Sequence, residues 1–270
     1  MILTIDIGNT NTSFGLFRGA RLVRRFDLPT SLAERRSELR RRVRTRLAGP
    51  RIERAVVCSV VPKMTRILPG ILREGGIRNV VLIGRDVRVP LVNRYRYPRQ
   101  VGQDRLVGAY AAWRTFGAPR GRPAGRHPER AAGGRARDGR DCIVCDFGTA
   151  ITIDVVTKAG EYLGGVIAPG LDISLEALAT RTALLPKVEL KEPPELLGRD
   201  TANSIRSGLL YGCVALCDGL VSQLKRHYAP KAVVVATGGA SGLIAKHAST
   251  IDHLKPSLVL EGLSRLATST

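Results

Sequence analysis

The sequence is short of aromatic residues and of acids. Phe, Trp and Tyr make up 4% of its 270 residues, with a single Trp. A surface that stacks successive nucleic-acid bases needs aromatic rings in series, and few are on offer. No uninterrupted apolar run approaches the roughly 18 residues of a membrane span. The opening MILTIDIGNTNTS has no basic stretch ahead of an apolar one, so no signal peptide is expected. The expectation is a cytoplasmic protein with no membrane association. Cysteines are few and odd in number: Cys58, Cys142, Cys145, Cys213 and Cys217. That argues against a disulfide framework. Cys142 and Cys145 are three apart on an apolar strand, so their thiols point to opposite faces and do not converge on a metal. Cys213 and Cys217 fall in an apolar helical segment, where packing is their expected use. The histidines, His127, His227, His247 and His253, show no HxxxH spacing. There is no GxxxxGK[ST], which excludes a P-loop fold, and no GxGxxG after a strand, which disfavours a Rossmann site.

What is present suits a globular α/β protein. Hydrophobic residues reach 44% and charged ones 24%, and at about 150 residues per domain two domains are expected. Forty-three Lys and Arg against 23 Asp and Glu give a net charge of +20. Residues 34–54 hold nine Arg and three Glu, and 118–140 hold seven Arg, one Glu and one Asp, so 11 of the 20 charges sit in two stretches. In the first, Leu32, Leu39, Val43 and Leu47 follow the capping-box pattern Ser31-Leu-Ala-Glu34 at helical intervals, which leaves the arginines on the wet faces. The second contains five Gly and three Pro and can form no core, so it reads as a flexible loop. Nucleic acid is therefore disfavoured as a partner.

The patterning predicts strands over 2–7, 12–19, 21–29, 54–61 and 79–84, with helices after the third and fourth, the order β-β-β-α-β-α-β. A helix over 103–116 follows. The opening then recurs: IVCDFGTAITIDVV (143–156) repeats the plan of LTIDIGNTNTSFGLF (3–17), an apolar strand ending in Asp, one apolar residue, Gly, a Thr- or Asn-rich turn, and a second strand. Asp6 and Asp146 lie 140 residues apart, about half the chain. Such self-similarity argues for two domains of one design, with boundaries expected at 1–117 and 141–270 around the loop 118–140.

A strand–Asp–x–Gly–(Thr/Asn) turn has definite chemistry. The glycine lets backbone N–H groups approach an anion, and Thr and Asn add donors. The aspartate can hold a hydrated Mg²⁺ that binds phosphate. The strand VVVAT running into Gly238-Gly239 adds a turn on which adenine or ribose can lie against the backbone. Gly102-Gln-Asp-Arg105 reads from the residues alone as a helix N-terminus with Asp104 and Arg105 in its first turns.

Taken in order, these motifs resemble the actin-like phosphotransferase superfamily, and within it the type III pantothenate kinase family. The resemblance rests on Asp6-Ile7-Gly8-Asn9-Thr10, on Tyr95-Arg-Tyr-Pro98-Arg-Gln-Val-Gly102-Gln103-Asp104-Arg105, on Asp146-Phe-Gly-Thr149, on Gly164-Gly-Val-Ile-Ala-Pro-Gly170 and on Thr201-Ala-Asn-Ser204-Ile-Arg-Ser-Gly208. It implies two actin-like (ribonuclease H-like, βββαβαβ) domains with a nucleotide cleft between them. It also implies ATP-dependent phosphorylation of pantothenate to 4′-phosphopantothenate, the first step towards coenzyme A. By the same resemblance Asp6, Ile7, Gly8, Asn9, Thr10, Asn11, Thr12 and Ser13 would hold ATP phosphates, with Mg²⁺ held through water at Asp6. Thr149, Gly238 and Gly239 would touch ATP, and Asp146 would bind a monovalent cation, K⁺ or NH₄⁺. Asp104 would be the general base, with Tyr95, Gly102, Gln103, Arg105 and Thr201 at pantothenate. A homodimer is implied, Thr201 reaching the site across its interface.

The chain departs from the family pattern at three places. Gln103 stands where Ala is usual, Ile151 where Thr is common, and the basic loop is longer. Two other readings stay open: an actin-like kinase of another small alcohol, and a non-catalytic regulatory or nucleic-acid-binding relative. Retention of Asp6, Asp104 and Asp146 weighs against the latter.

Overall fold

In the first half of the chain β1 (Ile2–Ile7), β2 (Asn11–Arg18) and β3 (Arg21–Pro29) make an antiparallel meander. On the other side of β1, β4 (Arg54–Ser59) and β5 (Val80–Leu82) add in parallel, for the order β3-β2-β1-β4-β5. Helices α1 (Arg36–Leu47) and α2 (Pro62–Glu74) supply the parallel crossovers, as parallel neighbours require. A short β6 (Val92–Asn93) precedes α3 (Gln103–Ala112), which continues as a π-helical turn over Trp113–Gly117. The structure is a computed structural model that describes residues 1–119 and 139–268. Apart from its first two and last two residues, the expected loop 118–140 lies outside them.

The second half repeats the plan. Strands β7 (Cys142–Phe147), β8 (Ala150–Val156) and β9 (Glu161–Pro169) are antiparallel. After α4 (Leu171–Arg181) and α5 (Thr201–His227), β10 (Val233–Thr237) pairs parallel with β7. The short α6 (Ser241–Ile244) leads to β11 (His253–Leu254), parallel to β10. The order β11-β10-β7-β8-β9 reproduces the first sheet strand for strand. Helix α7 (Leu258–Thr268) then packs on β1 and β4 of the first sheet. By contacts the described chain divides into one unit of Met1–Ala111 with 258–268 and another of 112–119 with 139–257.

Each unit has its own core. In the first, Leu3, Ile5 and Ile7 of β1 meet Leu39 and Val43 of α1 and Met64, Leu68 and Ile71 of α2. Each such side chain is fully buried and contributes about 1.5–3 kcal/mol. In the second, Ile143, Cys145 and Phe147 of β7 meet Leu210, Cys213, Cys217 and Val221 of α5. That buried row identifies α5 as a core helix, although by length and composition it could cross a membrane. The cysteines divide as their spacing requires: Cys145 Sγ lies 4.0 Å from Cys217 Sγ on α5, while Cys142 Sγ faces Ala112 O.

The first basic cluster is the wet side of α1. Arg36 and Arg40 reach Glu74, and Arg35 and Arg42 reach Glu38, surface pairs worth about 0–1 kcal/mol each. One local expectation fails. Ser31 caps no α-helix, because Thr30–Glu34 forms a single 3₁₀ turn and α1 begins only at Arg36. Leu32 is buried in the core and the Thr30 hydroxyl is engaged by Gly8 O. Both anchor the turn before the helix starts.

Candidate active site

In the first unit Asp6 is the penultimate residue of β1, opposite Ser13 on β2 and Cys58 on β4. The turn beyond it is closed by Gly8 N donating to Asn11 O at 3.0 Å and by Thr30 N donating to Thr10 O at 2.9 Å. The Thr30 hydroxyl donates to Gly8 O at 2.7 Å and pairs with the buried Thr12 hydroxyl at 3.0 Å. A Cβ on Gly8 would lie 3.1 Å from Asn11 O, tighter than ordinary contact. Asn9, Thr10 and Asn11 stand exposed at the tip, while the side chains of Ile7 and Thr12 are buried and leave only their backbone to a ligand. The Ser13 hydroxyl donates to Asp27.

Asp104 lies in the first turn of α3, where the helix dipole favours a carboxylate. Its Oδ1 accepts the Arg105 backbone N–H at 2.8 Å and fills the space that a Cβ on Gly102 would need. A side chain at 102 would therefore displace the Asp104 carboxylate from this position. Asp6 pairs in register with the fully buried Cys58, and Val60, two residues further on, lies against Gly102 at the start of α3. Burial first, then the negative charges of Asp6 and Asp104, push the Cys58 thiol well above the ordinary value. Cys58 is therefore held as a neutral thiol. Its neighbour Ser59 accepts from Val61 N at 3.1 Å and from the Thr65 hydroxyl at 2.6 Å, which fixes the end of β4.

Gln103, one residue before Asp104, covers the backbone of Gly84. Its Cδ, Oε1 and Cγ lie 2.8, 3.0 and 3.1 Å from where a Gly84 Cβ would be. Tyr95 is half-buried, its N–H held by Asn93 Oδ1 at 3.0 Å, and Asn93 Nδ2 donates to Pro98 O at 3.3 Å. Its neighbour Tyr97 is 59% exposed.

In the second unit Asp146 holds the place of Asp6: it is the penultimate residue of β7 and pairs in register with Thr152 and Thr237. Gly238 has φ +93°, and a Cβ there would strike the Asp146 carboxylate and sit 2.6 Å from Phe147 C and 2.7 Å from its N. Gly239 beside it is exposed, with nothing within 4 Å of a Cβ. Gly170, the N-cap of α4, lies against the carbonyls of Gly148 and Thr149 and donates to Thr149 O at 3.2 Å. Gly165 makes room for the buried Asp154, whose Oδ1 accepts the Tyr162 hydroxyl at 2.7 Å. The Gly164-to-Gly170 motif thus packs β9 on β8 and sets α4 against the 148–149 turn. Thr201 begins α5 and is exposed; Asp200 is the N-cap, accepting Asn203 N at 2.9 Å. A groove of about 290 Å³ runs along Leu178, Leu185, Thr201, Ile205 and Leu209.

Sequence reasoning missed Thr30, Cys58 and Gly84. Cys58 had a signal, since it falls in register with Asp6 once β4 is placed beside β1. Thr30 and Gly84 had none, because they reach the site through chain pairings that no local pattern announces.

Comparison with solved structures agrees with this architecture. A protein from Campylobacter jejuni assigned to the Baf family superposes with a TM-score of 0.59 at 17% identity, covering 98% of this chain and 97% of the other. The ethanolamine utilization protein EutJ from Carboxydothermus hydrogenoformans superposes with 0.52 at 13% identity, covering 98% and 89%. Two matching α/β units, each carrying an Asp-x-Gly turn at the end of its first strand, make an actin-like fold. The particular family follows from sequence. The profile of the type III pantothenate kinases matches residues 2–121 and 130–223. Type III pantothenate kinases from Moorella thermoacetica and Syntrophotalea carbinolica are 35% and 38% identical over 268 residues, each covering 97% of this chain and 97% and 96% of their own. The chain belongs to the type III pantothenate kinase family.

Proposed function

We propose that the chain transfers the γ-phosphoryl group of ATP to the primary hydroxyl of pantothenate, the first step of coenzyme A synthesis, with Asp104 as general base. The observation that supports this reading most is that the start of α3 lies against the ends of β1 and β4: Asp6 pairs in register with Cys58, Val60 N donates to Ile7 O at 3.1 Å, and a Cβ on Gly102 would lie 3.6 Å from Val60 Cγ1, so the Asp6 turn and the Asp104 carboxylate belong to one neighbourhood. Asp104 takes the hydroxyl proton as the oxygen attacks. Its carboxylate is aligned by the Arg105 N–H, and the Arg105 guanidinium would pair with the carboxylate of pantothenate. Tyr95 and Gly102 line the same substrate. The exposed Asn9, Thr10 and Asn11, with the N–H groups of the turn, hold the phosphate oxygens, and the stretch 6–13 is the ATP turn as a whole. Phosphoryl transfer is mostly positioning and charge stabilisation, so these contacts account for most of the rate.

Carboxylates at strand ends are hard oxygen donors that suit Mg²⁺ and alkali cations. Asp6 would hold Mg²⁺ through water. Asp146, whose oxygen lies in space that only a glycine at 238 leaves open, would hold K⁺ or NH₄⁺. These ions neutralise phosphate charge. Thr149, Gly238 and Gly239 form the nucleotide side of the second unit, Gly239 being exposed for that use. A homodimer is favoured by the open glycines of α5, Gly208, Gly212 and Gly219, and by the exposed Leu184, Leu196 and Leu197. Thr201, on the rim of the apolar groove, would then serve the partner's site. A cytoplasmic location fits a coenzyme A pathway enzyme.

The test is turnover of pantothenate with ATP, Mg²⁺ and K⁺, read as ADP release. Asp104→Asn should lower kcat by about 10²–10⁴-fold with little change in KM for ATP. An Asp104→Asn enzyme within a few-fold of wild type would overturn the base assignment.

A further inference from the structure

Two glycines of the first unit give their side-chain space to two consecutive residues. Asp104 occupies the space of a Gly102 Cβ, and Gln103 occupies that of a Gly84 Cβ. Gly84 is in the left-handed region, φ +86°, which any other residue adopts at a cost. It belongs to a turn with little freedom. Gly84 N donates to Val87 O at 2.8 Å, Asp86 N to Leu82 O at 2.9 Å, and Leu82 N to the Asp86 carboxylate at 2.9 Å. The Arg85 guanidinium holds the same carboxylate at 2.8 and 2.9 Å. Gln103 therefore packs against a rigid backbone, at the first residue of the helix that carries Asp104.

We infer that Gln103 is a positioning residue. Its side chain fills the hollow over Gly84 and fixes the first turn of α3, and with it the place of the Asp104 carboxylate. It is not a ligand of pantothenate. This rests on the reading of Asp104 as general base. The physical basis is that a single Ala at 103 leaves a void over Gly84 three heavy atoms deep, into which the helix start can settle. An error near 1 Å at a reacting group can reduce a rate by about 10²-fold, and partial settling reduces it by less. The inference also accounts for the departure at 103: the long side chain is matched to a glycine turn on β5 rather than to the substrate.

The test uses the full chain with four proteins: wild type, Gln103→Ala, Gln103→Met and Asp104→Asn. Gln103→Ala should lose on the order of tenfold in kcat, with KM for pantothenate within about twofold of wild type. Gln103→Met, which has similar length and no polar group, should recover most of that turnover, because filling and not hydrogen bonding is the function. Thermal unfolding of each variant establishes that it is folded at the assay temperature. A rise in pantothenate KM in both the Ala and Met variants would make Gln103 a substrate contact and overturn the inference. So would a Gln103→Ala enzyme with wild-type kcat while Asp104→Asn is inactive. If Asp104→Asn keeps its turnover, the base assignment itself fails, and the role of Gln103 falls with it by a separate observation.

Discussion

Gly238 and Gly239 are neighbours in one turn, yet the structure gives them different work, and alanine separates the two. At Gly238 the backbone is left-handed, φ +93°, which costs a non-glycine residue roughly 1–2 kcal/mol. A Cβ would also lie 2.6 and 2.7 Å from main-chain atoms of Phe147. Those atoms cannot retreat without straining the Ala240 N to Phe147 O hydrogen bond and the β7–β10 ladder. Overpacking of that kind adds about 1–3 kcal/mol. Gly238→Ala should therefore lose about 2–5 kcal/mol, and at about 2–4 °C per kcal/mol for a chain of this size its melting temperature should fall by roughly 4–20 °C. Gly239→Ala meets nothing within 4 Å, so its stability should stay within about 0.5 kcal/mol of wild type. Its KM for ATP should rise, because the added methyl covers backbone that the nucleotide approaches. The assay pairs circular-dichroism melts with ATP saturation curves at fixed excess pantothenate. A Gly238→Ala protein that melts with wild type would refute the packing argument, and a Gly239→Ala enzyme with unaltered ATP KM would refute the nucleotide role of this turn.

Three further outcomes follow from single contacts. Tyr162→Phe leaves the buried Asp154 carboxylate short of the donor now at 2.7 Å, and chemical denaturation should show a loss of about 1–3 kcal/mol with turnover retained by the folded protein. The Arg85 hydrogen bond, then the Leu82 N–H, hold the Asp86 carboxyl down at about 2 from its ordinary 3.8. A depressed carboxyl stabilises the fold above its unfolded value and ceases to do so as pH falls through the folded one, so the melting-temperature gap between wild type and Asp86→Asn should narrow between pH 4 and 2; a constant gap contradicts the linkage. Deleting 122–129, which the family profile passes over, should leave kcat within about twofold, because none of the motifs lies there; a folded deletion protein without turnover would show that the segment takes part in catalysis.

The strand pattern was legible because it depends on local alternation and on apolar runs. Ile2–Ile7, Asn11–Arg18 and Arg21–Pro29 fall within a residue of their expected bounds. Long apolar helices such as Thr201–His227 were legible for the same reason. Elements set by tertiary contact were not. The 3₁₀ turn at Thr30–Glu34 exists because Leu32 and Thr30 are drawn inward. The α3 helix passes into a π turn at Trp113, whose indole N–H is held by Lys158 O at 3.0 Å. Two-residue strands such as His253–Leu254 have no pattern long enough to read. At the site, the residues named from sequence were found at strand and helix ends, where a short motif fixes both turn and chemistry. What could not be read was how side chains divide: Ile7 and Thr12 turn inward, and Gln103 turns to Gly84.

The internal repeat explains why the two halves diverged where they did. In both units the residue after the aspartate accepts a backbone N–H from the chain just beyond the neighbouring parallel strand: Val60 N to Ile7 O at 3.1 Å, and Ala240 N to Phe147 O at 3.1 Å. The register partners of the aspartates are Cys58 and Thr237. From partner to donor the chain advances two residues in the first unit and three in the second. The extra residue falls at Gly238, whose positive φ turns the chain there. That pushes Gly239 out as bare, exposed backbone. In the first unit Ser59, Val60 and Val61, all half-buried, lead directly into α2. One added residue therefore gives the second unit an exposed glycine after β10, while the shorter connection keeps a neutral buried thiol beside Asp6 in the first. Lengthening the first turn by a Gly after Cys58 should disturb that thiol's seat and reduce kcat without creating an ATP contact, because the α3 carboxylate has no counterpart in the second unit to move with it.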